Sequence, residues 1–323
     1  MSRADADRPG VLVTGGAGHV GHLALQALAA HGADPLVSLD VRARTEPLDG
    51  VAAVTGDLRH LDLADLLDRH RVGAVVHCAA IVNPPPGMSE AELHDIEVGG
   101  TERVLEACLA AGVEHVTVTS SGAAYGYHLA NRGRWLTEDD PVRGSDAFAY
   151  SRHKAEVERL LARYRRVHPE LGQLVLRPGT ILGAGTRNQI TDLFERPAVL
   201  GLRGTDVPFV IVWDWDVAEV IARGVVERVT GTYNLAGDGV LTLADIARIE
   251  GKRLVPLPPQ LLARALGVLG RMGLTQYGPE QVDFLRYRPV LANDAMKRAF
   301  PGLPRRSTRE AYEAYRQGRD RRG

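Results

Sequence analysis

The segment Tyr150-Ser151-Arg152-His153-Lys154 sets a phenol and an ammonium four residues apart, which puts both on one face of a helix. Tyrosine titrates near pH ~10 when free, and a neighbouring positive charge favours its anion, so the pair can exchange a proton near neutrality. The same spacing is common on exposed helix faces. What favours chemistry here is the company it keeps. Ser120-Ser121 ends an apolar run upstream, and Thr14-Gly15-Gly16-Ala17-Gly18-His19-Val20-Gly21 lies between the apolar run Val11–Thr14 and a helical pattern. Glycine permits a tight strand-to-helix turn and lets the backbone approach a pyrophosphate, which the free N–H groups and dipole of the helix start can hold. Gly15, Gly18, His19, Val20 and Gly21 are expected to bind a dinucleotide, whose oxidised nicotinamide ring would add a second positive charge near Tyr150. This chemistry needs no metal.

Positioning these residues takes alternating strands and helices. Apolar runs and helical patterns alternate at Val11–Thr14, Leu23–Ala30, Pro35–Asp40, Val51–Asp57, Leu63–His70, Ala74–Ala80, Glu90–Ala111 and His115–Ser121. A helix over Tyr150–Val167 and a strand over Leu174–Arg177, closed by Pro178, follow. The pattern predicts an α/β fold of the Rossmann type, a doubly wound parallel sheet that takes ligands at the carboxyl edge of its strands. Asp40 ends the second strand 19 residues after Gly21, where a carboxylate accepts from ribose hydroxyls and repels a 2′-phosphate. NAD is favoured; NADP stays open, because Arg42 or Arg44 could pair with that phosphate. Asp57, followed by Leu58, is placed either to meet the adenine or to cap the next helix. Cys78, Ala79 and Ala80 end the fourth strand, where small residues let the chain pass close beneath the dinucleotide. Thr119, Arg177 and Pro178 complete the expected cofactor contacts. Asn83-Pro84-Pro85-Pro86-Gly87 reads as a rigid loop, either a spacer or a lid.

Beyond Pro178 the alternation loosens into segments broken by Gly and Pro, as substrate-facing loops do. A dinucleotide-binding domain over residues 10–178, to which 209–235 returns, and a substrate-binding region over 179–208 and 236–316 are expected. An amphipathic helix over Pro259–Leu274 carries Leu261, Leu262, Ala265, Leu266, Leu269 and Met272 on one side, which suits a lid or core element better than a membrane surface. The tail Arg316–Gly323 is basic, has no apolar face and reads as a solvated end.

With 323 residues, 45% hydrophobic and 24% charged, the chain can bury a sizeable core. Its 39 basic and 40 acidic side chains leave a net charge of −1, too little to draw in nucleic acid or an anionic membrane, so a small-molecule substrate is expected. The two cysteines, Cys78 and Cys108, form no Cys-x-x-Cys or Cys/His cluster, which argues against a disulfide framework or zinc. No apolar run of about 18 residues occurs, and polar Met1–Arg8 is no export signal; a cytoplasmic location is expected.

From about Val11 to about Ala299 the sequence resembles the extended short-chain dehydrogenase/reductase family, also called the NAD-dependent epimerase/dehydratase family. Thr14–Gly21, Asp57-Leu58, Ser120–Gly126 with its Tyr125-Gly126, Tyr150-x-x-x-Lys154 and Leu176-Arg177-Pro178 carry the resemblance. It implies Ser121 bonded to the reacting oxygen, or Ser120 if the alignment moves by one. It implies Tyr150 as the acid/base and Lys154 on the nicotinamide ribose. A homodimer through helices near Glu90–Ala111 and Tyr150–Val167 is also implied. Gly122 and Ala123 stand where related sugar 4,6-dehydratases carry an Asp-Glu pair that eliminates water. Thr180 and Phe209 stand where nucleotide-sugar epimerases carry an Asn and an Arg that hold the diphosphate. Glu97 replaces an Asn that many relatives use to organise the water chain behind the lysine; either the proton relay differs here, or Glu97 is a helix-surface charge. Trp213 and Trp215 flank Asp214 where relatives read His-Val-Asp-Asp-Val-Ala, and their rings either line the pocket or pack in the core. Ser121, Gly122, Thr180 and Trp213 are the expected substrate contacts.

The leading expectation is an NAD-dependent oxidoreductase or epimerase acting on a secondary alcohol or ketone of a small molecule by hydride transfer, with Tyr150 as acid/base. The substrate is either a nucleotide sugar, handled by an epimerase with tightly bound NAD, or a less charged natural-product ketone or steroid-like alcohol, which Phe209 suits. A non-catalytic dinucleotide sensor is the reading of another class. The intact Ser121, Tyr150 and Lys154 oppose it.

Overall fold

The computed structural model describes residues 9–44, 46–82, 84–85, 87–187, 189–271, 278 and 281–321. The apolar runs become β1 (Gly10–Thr14), β2 (Leu36–Asp40), β3 (Val51–Thr55), β4 (Val72–His77), β5 (His115–Thr119) and β6 (Gly172–Pro178). Gly231–Leu235, labelled β9 below, adds a seventh strand, and all seven pair in parallel in the order β9-β6-β5-β4-β1-β2-β3. The order reverses between β1 and β4. In such sheets the crevice outside the strand ends at that point is where ligands bind.

Helices cover both faces, so β1 and β4 are buried along their whole length and read as continuous apolar runs rather than alternating ones. On one face α1 (His19–Ala30) and α6 (Asp214–Val226) pack Leu25, Leu28, Val220 and Ile221 against Val11 and Val13. On the other, α2 (Leu63–Arg69), α4 (Gly100–Ala111) and α5 (Ala149–Val167) pack Leu66, Leu105, Val157 and Leu161 around Leu12 and Val75. The expected helix over Glu90–Ala111 is continuous but not uniform. Its first turn, α3 (Glu90–His94), is fixed by a reciprocal Ser89–Glu92 cap, and a widened π turn over Asp95–Gly99 joins it to α4. That turn directs Glu97 inward.

Of the stretch 209–235, α6 packs on the sheet and β9 joins its edge, whereas β8 (Ile211–Trp213) pairs with β7 (Thr180–Leu182) outside it. A third core gathers Phe194, Phe209, Leu241, Ile246, Tyr312 and Tyr315. The last two belong to α7 (Thr308–Asp320), whose last turns take in Arg316 to Asp320, so that the expected solvated tail is corrected over those residues. Arg316 donates to the Ile249 carbonyl at 2.9 Å and Arg319 to the Glu250 carboxylate at 2.9 Å. The apolar face lies just upstream of Arg316, on Ala311, Tyr312 and Tyr315. The amphipathic helix forms over Pro259–Arg271, with Leu262 against the third core and Leu261 exposed; Met272 and Leu274 lie outside the described residues, as do Asn83 and Pro86. No helix among the described residues is long and apolar enough to cross a membrane.

Candidate active site

Gly15 takes a left-handed conformation at φ 71°, and a Cβ there would meet the Ala79 nitrogen at 2.7 Å. A Cβ on Gly21 would fall 2.2 Å from the Gly15 carbonyl. Only glycine lets the turn fold this tightly over Ala79 and bring the start of α1 to the cleft. Asp40 braces the turn from the end of β2, accepting from the Ala17 N–H at 3.1 Å and the Arg42 N–H at 3.0 Å. His19 Nε2 lies 2.9 Å from Asp214 Oδ2, tying the turn to the start of α6.

A cavity of about 600 Å³ opens along this turn. Gly15, Gly18, His19, Val20 and Gly21 line it, with Cys78 and Ala80 after β4 and Thr119 at the end of β5. Ser121 and Gly122, the Tyr150 and Lys154 side chains of α5, and Pro178 and Thr180 line it as well. Lys154 Nζ sits 5.6 Å from the Tyr150 ring centre. Ser121 Oγ accepts from the Ala123 N–H at 3.1 Å, which leaves its O–H free to donate to a bound oxygen. Ser120 also lines the cavity, but its hydroxyl donates to the buried Glu158 at 2.6 Å, so Ser121 is the serine with a proton to offer. Burial pushes the Cys78 thiol up to about 11 and the His77 imidazole down to about 3, the latter helped by Lys154, so both are neutral around the lysine. Among the described residues no group of three or more His, Cys, Asp or Glu is gathered as a metal would need.

A model of the NAD dependent epimerase/dehydratase family matches residues 11–200, more than half of the chain. The protein belongs to that family. It is 26% identical over 268 residues to the uncharacterized protein Rv0501 of Mycobacterium tuberculosis, covering 82% of this chain and 71% of that one. It is 31% identical over 192 residues to UDP-glucose 4-epimerase of Erwinia amylovora, covering 56% of each. Among solved structures it is similar in fold to MoeE5 in complex with UDP-glucuronic acid and NAD, at TM-score 0.74 and 23% identity, over 97% of this chain and 99% of that one. The family makes the chain an enzyme of the extended short-chain dehydrogenase/reductase type.

Several residues expected at the cofactor face elsewhere in this family member. Arg177 is buried and turned away from the cavity: it pairs with Glu158 at 2.5 Å and donates to the Tyr125 hydroxyl at 2.7 Å and the Glu138 carbonyl. The expectation that it contacts the dinucleotide is corrected, because a strand residue whose side chain enters the core cannot also reach the cleft. Breaking this pair has a measurable cost. Arg177→Met leaves the buried Glu158 with the Ser120 hydroxyl but without a counter-ion and is expected to lower the unfolding free energy by about 3–5 kcal/mol in a denaturant titration. A second change, Glu158→Gln, should recover most of that loss.

Asp57 is also corrected: Arg59 grips both of its oxygens, at 2.6 and 3.1 Å, and holds the carboxyl at about 2. The helix cap is not Asp57 either, since Asp62 accepts from the Asp65 N–H at the start of α2. Leu58 packs on the second core rather than lining the cavity. Trp213 is no substrate contact; its ring packs on the third core beneath the Arg306 guanidinium, 4.3 Å away. Arg42 is mostly exposed and 3.6 Å from Asp40, while Arg44 donates to the Gly16 carbonyl at 2.7 Å.

The structure decides between the alternatives for Glu97 and brings in one charged residue that was not foreseen, Arg288. Glu97 is 3% exposed and pairs with Lys154 at 3.1 Å; it is not a surface charge. Arg288 lines the cavity with its guanidinium 4.2 Å from the Phe209 ring centre and 4.5 Å from that of Phe284. It donates to Thr180 Oγ1 at 3.0 Å, while its other terminal nitrogen has no hydrogen-bond partner among the described residues. The cation that Phe209 does not supply is thus stacked on Phe209. Arg286-Tyr287-Arg288-Pro289 contains no signal in composition or spacing that marks Arg288 off from a surface arginine. Tyr127 and Phe148 complete an aromatic wall with Phe284, at ring separations of 5.0–5.6 Å.

Proposed function

We propose that this chain is an NAD-dependent oxidoreductase or epimerase acting on a secondary alcohol or ketone of a small molecule that carries an anionic group. One observation carries the reading: a single cavity runs from the glycine-rich turn to Ser121, Tyr150 and Lys154. The turn leads straight into α1, whose first N–H groups have no partner within the helix and can hold a pyrophosphate, and Asp40 at the end of β2 suits ribose hydroxyls and disfavours a 2′-phosphate. Bound there, NAD would supply the carbon-bound hydride chemistry. Tyr150 then takes or returns the proton of the reacting hydroxyl, Ser121 donates to the same oxygen, and Lys154 keeps a positive charge beside the phenol. No carboxylate stands at Gly122 or Ala123, so water elimination lacks its acid and base.

Arg288 favours the nucleotide-sugar epimerase reading over a neutral natural-product ketone. Burial pushes its guanidinium down to about 10, which leaves it charged at neutral pH, and no carboxylate of the described residues pairs with it. A substrate phosphate or carboxylate would complete it. The substrate would then lie between the dinucleotide-binding domain, 10–178 with 209–235, and a substrate-binding region of 179–208 and 236–316. We take the enzyme to be cytoplasmic, from its unpaired cysteines, and a homodimer through α4 and α5 by family resemblance.

The protein, purified without added nucleotide and denatured to release any ligand, is expected to yield NAD by mass spectrometry, or to bind it more tightly than NADP in titrations. Retained NAD supports an epimerase-like cycle, and reversible binding a dehydrogenase. Absence of dinucleotide binding would overturn the assignment.

A further inference from the structure

Lys154 is charged, 4% exposed and surrounded by groups that cannot compensate it. After β4, His77 and Cys78 face it as neutral groups. From its own helix come Tyr150, neutral whenever its phenol holds the proton, and His153, whose imidazole is pushed down by burial first and then by His94 and Arg152. The remaining neighbour is the π turn, and it supplies a carboxylate: Glu97 Oε2 stands 3.1 Å from Lys154 Nζ. Its other oxygen accepts from the Ile81 N–H in a very short contact, and its backbone carbonyl accepts from Thr101 Oγ1 at 2.7 Å. Thr101 Oγ1 in turn lies 3.1 Å from His77 Nε2, and His77 Nδ1 2.7 Å from Thr14 Oγ1. The Glu97 carboxylate is therefore held by the Ile81 N–H on one oxygen and faces the ammonium with the other, while Thr101 fixes its backbone.

We propose that Glu97 is a positioning residue, the fixed counter-ion that lets Lys154 keep its charge inside the cavity, so that it sets the alkaline limit of the enzyme's working range. The proposal rests on the reading of Tyr150 and Lys154 given above. Burial alone drives a lysine ammonium towards its neutral form, and an opposite charge at contact distance reverses this. The balance at Lys154 runs that way, since burial lowers it, Glu97 opposes most strongly with Tyr150 and Cys78 adding to it, and the net direction is upward. Without the carboxylate the lysine would release its proton at lower pH, and Tyr150 would lose the positive charge that helps it ionise.

The chain has only three lysines, Lys154, Lys252 and Lys297, so the test can be read without turnover. Lysine labelled with carbon-13 at Cε gives three signals in the full-length protein, and Lys154→Met assigns the one of interest. With NAD present, Glu97→Gln is expected to bring the Lys154 titration midpoint down by about two units or more, and to move the alkaline limb of turnover the same way. Glutamine keeps an acceptor for the Ile81 N–H, so a purely structural Glu97 would leave that midpoint within about half a unit of the parent, which overturns the proposal. Should Glu97→Gln not fold, the double change Glu97→Gln with Lys154→Met removes both buried charges and should fold; a double variant as unstable as the single one is equally fatal. Failure of the catalytic reading itself shows up elsewhere, as turnover that survives Tyr150→Phe.

Discussion

Tyr150→Phe is expected to lower turnover by about 10²–10⁴-fold while leaving NAD affinity within a few-fold of the parent. The change removes one oxygen from a residue that is partly exposed to the cavity, so no buried partner loses a hydrogen bond and the fold has no reason to respond. What disappears is the group that moves the hydroxyl proton. Lys154 does not take over, because its Nζ is paired with the Glu97 carboxylate and stays an ammonium with no basic lone pair. Turnover followed by reduction of bound NAD, set beside a fluorescence titration of NAD binding, separates the two effects. Turnover within a few-fold of the parent would remove Tyr150 from the mechanism. A parallel collapse of turnover and NAD affinity would assign it to the cofactor site alone.

The frame that presents Tyr150 was legible because its signals are local. Val11–Thr14 reads as a buried strand from its own apolar run, and the glycines that follow have a spacing that reads as a tight turn even though the packing that demands them, on Ser38 and Cys78-Ala79 as well as within Gly15–Gly21, comes partly from other strands and their ends. Tyr150 and Lys154 read as a pair because they stand four residues apart, and the structure sets both in the lining of one cavity. Where long-range partners decide the outcome, the reading failed. Arg177 reads as a cofactor contact until Glu158, 19 residues earlier, claims it, and even at short range Asp57 looks available until Arg59, two residues on, closes on it. Glu97 stands out in sequence only as a departure from the family Asn, with a surface charge left open, and the π turn and the arrival of α5 decide that it is a buried counter-ion. Arg288 lies 108 residues from Thr180 in the chain and acquires its meaning only through that contact and the Phe209 stack.

Arg288→Met is expected to weaken binding of a nucleoside diphosphate such as UDP by about 30-fold to several thousand-fold, the range that loss of a desolvated charge contact of 2–5 kcal/mol implies. Methionine keeps contact with Phe209 and Phe284 through its thioether, so the aromatic wall need not collapse. The same change removes a cation that lacks a counter-ion among the described residues, so the unliganded protein should melt no lower than the parent, and higher if the desolvated charge is a burden. Weaker binding without lower stability is the pattern of a residue kept for its ligand. Arg288→Lys should restore part of the affinity only, because an ammonium is a point charge that cannot bond Thr180 and chelate an anion through a planar fork. Calorimetric titration with UDP and thermal melts of the three proteins decide it. Equal UDP affinity across the series would detach Arg288 from the anion and return the neutral alcohol or ketone to first place among substrates.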